Sequence, residues 1–77
     1  MTATVLFFAS LRDQIGISRI EVSISTPVTA LSIWQQVTGK EILSSTVRIA
    51  RNHAYCEAMT LIESGDELAF FPPVTGG

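Results

Sequence analysis

A chain of 77 residues with a formal net charge of −2, 47% hydrophobic and only 16% charged, is enough for one small domain. Its five basic residues, Arg12, Arg19, Lys40, Arg48 and Arg51, are scattered, so the basic stripe that nucleic-acid binding needs is missing. The longest apolar run, Val5 to Ala9, is too short to span a membrane, and the N-terminus lacks the pattern of a secretory signal.

A core of this size typically yields a margin of ~3–5 kcal/mol. Cys56 is the single cysteine, so no disulfide framework supplements that margin, and a lone thiol without an export signal suggests the cytoplasm. The apolar content leaves surface to spare for a partner.

Residues 3–9, Ala-Thr-Val-Leu-Phe-Phe-Ala, read as a central strand. Val5 and Phe7 share one face, Leu6 and Phe8 the other. Residues 10–16 break the pattern. Ile17 to Ile24 then alternates, with Ile20, Val22 and Ile24 inward and Arg19, Glu21 and Ser23 outward, as a strand antiparallel to the first. Thr26-Pro27 predicts a helix start, with Thr26 as cap and Pro27 in the first helical position. Ala30, Leu31, Trp34 and Val37 form its apolar stripe, and Gly39 ends it. Residues 41–46 carry no assignable pattern.

Val47 to Arg51 and Ala54 to Ala58 read as two strands around a tight turn at Asn52-His53. Leu61-Ile62 is a short apolar segment before a turn at Ser64-Gly65-Asp66, and Glu67 to Phe71 is the last strand. The order is β-β-α-β-β-β. It predicts an α+β fold of two layers, the β-grasp or ubiquitin-like arrangement, with one main helix on one face of a mixed sheet. The domain is expected over 1–71 and an extended tail over 72–77.

That tail is where chemistry is expected. Pro72 and Pro73 lack N–H donors, so ladder pairing should stop there and the chain should stiffen. Six residues from Pro72 onward, through Val74, Thr75 and Gly76 to Gly77, could reach ~20 Å. The two glycines make the end thin enough to enter another protein's cleft. A terminal carboxyl, with a pKa near ~3.5, is an anion at neutral pH and a potential nucleophile.

The ending FFPPVTGG, the segment Gly65-Asp66-Glu67-Leu68-Ala69, the opening Val5-Leu6-Phe7-Phe8-Ala9, Leu11-Arg12 with Gly16, and Asn52 together carry a resemblance. They resemble the small, sulfur-carrier subunits of molybdopterin synthase. Arg51 departs from that family, which usually has an aliphatic residue before the Asn; the facing of this strand is left open. The resemblance implies that an adenylating enzyme related to ubiquitin activators grips the carrier and that the Gly77 carboxylate attacks the α-phosphate of ATP. A sulfur donor then converts the acyl-adenylate to a Gly77 thiocarboxylate. The tail, Pro72, Pro73, Val74, Thr75 and Gly76, inserts into the large subunit, where sulfur passes to cyclic pyranopterin monophosphate. The ATP belongs to the activating enzyme, so no cofactor or metal bound to this chain is implied. The carrier alone should be catalytically inert.

One helix can cover only one sheet face, so Leu6, Phe8, Tyr55 and Phe71 are candidates for a partner-binding patch. The resemblance supports Phe8, Tyr55 and Phe71 as contacts to both the large subunit and the activating enzyme; the competing reading is that all four are core. Cys56 reads as a small apolar side chain rather than a reactive thiol. His53 reads as a solvated turn residue, Asp66 as a turn hydrogen-bonder and Trp34 as core. Two other readings of the tail remain. It could serve a sulfur carrier for thiamine or transfer-RNA thiolation, or a ubiquitin-like modifier joined through Gly77 to lysine amines. A purely structural interaction module is a third.

Overall fold

The computed structural model describes residues 1–73. Alternation builds the first strand, β1 (Thr2–Phe7): Ala3, Val5 and Phe7 are buried while Leu6 on the other face is half-buried. A short helix, α1 (Ala9–Ile15), follows, ending at Gly16 with φ 81° and its N–H bonded to the Arg12 carbonyl. This helix replaces the patternless stretch expected over residues 10–16. At seven residues, with Leu11 its only buried side chain, it is too short to display a stripe. Strand β2 (Arg19–Ser23) pairs antiparallel with β1, as its alternation predicts.

The main helix begins later than expected. Val28–Thr29 forms a two-residue strand, β3, against β6 (Leu61–Ile62), and α2 runs Ala30–Thr38. Thr29, not Thr26, is the cap, its Oγ1 accepting from the Ser32 N–H at 3.1 Å. Pairing with β6 claims the residues that the Thr-Pro signal assigned to the first turn. The freed N–H groups of Ala30 and Leu31 donate to the carbonyls of Thr60 and Ala58 at 3.0 and 2.8 Å. Gly39, φ 73°, closes the helix as expected. On its inner side Ala30, Ile33 and Trp34 are buried, whereas Leu31 and Val37 are half-buried. The irregular residues beyond are tied back by Trp34 Nε1 donating to the Ile42 carbonyl and Gln35 Nε2 to that of Glu41.

Strands β4 (Arg48–Arg51) and β5 (Ala54–Cys56) form a hairpin whose turn residues, Asn52 and His53, both have left-handed backbones. Such a two-residue turn matches the twist of the strands it joins. The last strand, β7 (Glu67–Phe71), runs parallel to β1 and antiparallel to β4. The main sheet therefore has the order β2-β1-β7-β4-β5, in which β1 is an interior strand, as expected, and β7 is the middle one. This is the two-layer α+β arrangement expected. Phe7, Trp34 and Phe70 meet at its heart, their ring centroids 5.1–6.2 Å apart. β7 ends at Phe71, and Val74 to Gly77, with the tail reading that rests on them, lie outside the described residues.

Candidate functional site: the uncovered sheet face and the end of β7

Register decides which side chains share the face that α2 leaves open. Across the sheet, Arg19, Leu6, Ala69, Ala50 and Tyr55 stand in one row, from β2 through β1, β7 and β4 to β5. Phe71 and Arg48 pair in the next row, and Phe8 follows β1 beside them. The strand period of two puts all of these opposite the core set Val5, Phe7, Ile49, Leu68 and Phe70.

The four candidates Leu6, Phe8, Tyr55 and Phe71 thus lie on one face, as parity predicted for Leu6, Phe8 and Phe71. They are not core. Leu6 and Phe71 are half-buried, Phe8 is 41% and Tyr55 75% exposed. The Phe8 and Phe71 rings stack with centroids 4.8 Å apart and planes within 4°. Between them and Tyr55 the floor is low, because Ala50 and Ala69 carry only methyl groups. A recess of about 90 Å³ opens there, edged by His53 and Glu67. The two alanines were not among the candidates, although they have the same parity as Phe71 and Arg48. An apolar concavity on so small a chain fits a docking surface.

Phe8 is held from two sides. Its N–H donates to the Phe70 carbonyl at 3.2 Å, and its own carbonyl accepts from Leu11. The next residue, Ala9, has φ 51°, a left-handed conformation that costs a non-glycine residue roughly 1 kcal/mol. Phe71 leads directly into Pro72, so the stacked pair stands where β7 ends.

The opposite end of β7 is polar. Asp66 accepts from Arg51 Nε and the Glu63 N–H, both at 2.8 Å, and from Asn52 Nδ2 at 2.9 Å. Asn52 Oδ1 in turn accepts from the Glu67 N–H at 2.8 Å, and Glu63 lies 3.6 Å from Arg51. Partial burial disfavours the Asp66 carboxylate, but the Arg51, Glu63 and Asn52 donors outweigh it and hold the carboxyl down to about 2. The same contact with Asp66 raises the Arg51 guanidinium. This settles the open facing of Arg51: it shares the side of Ile49 and closes a clasp between two turns. Asp66 does more than cap a local turn.

Cys56 is half-buried, and burial pushes its thiol up despite the nearby Thr60 hydroxyl and Arg51 charge. A raised thiol is a poor nucleophile at neutral pH, in line with its reading as an apolar side chain. His53 is exposed, 3.6 Å from Glu67. Trp34 is core. Among the described residues no group of three or more His, Cys, Asp or Glu side chains is placed to hold a metal ion. No helix there is long and apolar enough to cross a membrane.

The ThiS family profile matches residues 5–77. This chain belongs to the ThiS family. It is 34% identical over 79 aligned positions to the molybdopterin synthase sulfur carrier subunit of Drosophila melanogaster, covering 95% of this chain and 88% of that one. The subunit of the same name from Haemophilus influenzae is 33% identical, at 95% and 96% coverage. Among solved structures, small archaeal modifier protein 1 of Haloferax volcanii superposes with a TM-score of 0.81 at 22% identity, covering 95% and 98%. Subunit 1 or 2 in the molybdopterin-converting factor complex of Helicobacter pylori gives 0.63 at 24%, with both chains fully covered. These structural likenesses establish the β-grasp fold of the ThiS-family chain.

Proposed function

We propose that this chain is the sulfur carrier of molybdopterin synthase and that its working group is the Gly77 carboxylate. The observation that carries the reading is one-third identity, over nearly the whole chain, to proteins named for that role. The Phe8–Phe71 stack on the open face, at the start of the tail, supports it, because a carrier must be gripped where its end is threaded.

In this reading an activating enzyme of the ubiquitin-activator type binds the open face and presents ATP. The Gly77 carboxylate attacks the α-phosphorus and pyrophosphate leaves. A sulfur donor then displaces AMP from the acyl carbon, leaving the thiocarboxylate. The charged carrier docks on the large subunit through Leu6, Phe8, Tyr55 and Phe71. Pro72, Pro73, Val74, Thr75 and Gly76 feed Gly77 into that subunit's cleft. There cyclic pyranopterin monophosphate takes one sulfur from each of two successive charged carriers, each of which leaves with its Gly77 carboxylate restored, and becomes the dithiolene. The carrier contributes position and a leaving group, and the partner contributes acid–base and electrostatic catalysis. The lone thiol supports a cytoplasmic setting.

Incubation with the activating enzyme, ATP and a sulfur source should exchange one terminal oxygen for sulfur, read by intact mass spectrometry. An unchanged mass with a competent activator would count against the proposal. Isopeptide-linked adducts on lysines would favour a modifier instead. Transfer of the sulfur to a thiamine or transfer-RNA pathway enzyme, and not to the large subunit, would redirect it within the family.

A further inference from the structure

Arg48 is the unabsorbed feature of the open face. It pairs in register with Phe71, directly beside the start of the tail. Its guanidinium carbon lies 5.8 Å from the centroid of the Tyr55 ring. An arginine within cation–π range of an aromatic ring keeps N–H groups available to fork a carboxylate. Among the described residues no carboxylate lies within ion-pair distance of Arg48, whereas Arg51 has Asp66 and Glu63, and Arg12 has Asp13.

A recess of about 350 Å³ opens beside it, lined by Ser45, Thr46, Arg48 and Pro73. Among the described residues of this lining every polar side chain can donate a hydrogen bond and none is acidic. Ser44 Oγ and Thr46 Oγ1 lie 2.8 Å apart, which restricts the Thr46 hydroxyl. On a chain of net charge −2, Arg48 gives this recess a local positive charge, and Glu57 lies in the adjoining recess that Arg48, Ser45 and Tyr55 also line.

We infer that Arg48, seated on Tyr55 beside Ser45, Thr46 and Pro73, is a docking point for an aspartate or glutamate side chain of the protein that receives the tail. The inference rests on the proposed carrier function and deepens it. Arg48 fixes the register in which the tail enters, and the apolar recess around Phe8 and Phe71 supplies contact area. A bidentate arginine–carboxylate pair at the rim adds geometry and steering.

The test measures association of the full chain with the large subunit of its own molybdopterin synthase, by calorimetry and stopped-flow fluorescence at several salt concentrations. Arg48→Glu should weaken binding about tenfold or more and flatten the salt dependence of the association rate, and Arg48→Lys should lose a smaller part. Lys40→Glu makes the same charge change outside the recess and should stay within about twofold. If Arg48→Glu does not fold, Arg48→Gln takes its place and should weaken binding about fivefold. Wild-type binding that the Arg48 variants leave unchanged, or that Lys40→Glu weakens equally, overturns the inference alone. A wild-type chain that does not bind the large subunit at all overturns the carrier reading together with it.

Discussion

The two ends of strand β7 are built by opposite rules. At its start, Asp66 gathers three donors, from the end of β4, from the turn after it and from Glu63, so these polar groups are satisfied within the chain and the end is closed. At its finish, Phe71 stacks on Phe8, the surface is apolar and open, and prolines replace residues that could continue the ladder. A closed polar end contributes to stability and offers nothing to a partner. An open apolar end contributes little to stability but gives another protein something to bury. One five-residue strand thus joins the part that holds the fold to the open face beside Pro72 and Pro73.

The largest expected effect lies between the two ends. Phe70 is fully buried against Phe7 and Trp34, so Phe70→Ala should destabilise by about 3–5 kcal/mol in chemical denaturation. That would leave little or no folded chain. Its neighbour faces the other way. Phe71→Asp should cost about 2 kcal/mol of partner binding, roughly thirtyfold, while changing stability by less than about 1 kcal/mol. Equal effects of the two substitutions on stability would erase the distinction between the faces.

At the polar end, Asp66 sharpens the comparison through pH. Its carboxyl sits at about 2 in the fold against an ordinary 3.8. A depressed carboxyl adds stability that is present above the ordinary value and is lost as pH falls from about 4 towards 2. Allowing for solvent screening, the contribution is about 1 kcal/mol. Asp66→Asn should remove that acid-limb slope in urea titrations and leave partner binding unchanged; a slope that persists would assign it to other groups. The smallest effect concerns Ala9. Ala9→Gly relieves a left-handed backbone and should raise stability by about 0.5 kcal/mol, measured by thermal unfolding.

Much of the architecture was legible because burial imposes a period. The alternation of Val5 and Phe7 against Leu6 and Phe8 correctly separated the faces of β1, and Gly39 correctly ended α2. The start of α2 was misread because Thr26-Pro27 is a local signal and the β3–β6 pairing is a tertiary one. Helix α1 escaped notice because one buried leucine makes no stripe. The open face was legible through its large residues, but Ala50 and Ala69, which shape its floor, look unremarkable in sequence. Arg51 could not be oriented without its partner, since Asp66 lies fifteen positions away along the chain.

The account turns on Gly77, and deleting that single residue tests it most directly. In a single-turnover assay with the activating enzyme, sulfur source, large subunit and pterin precursor, the shortened chain should unfold at the wild-type temperature and yield no dithiolene product. Product formed at the wild-type rate by the shortened chain would contradict the account.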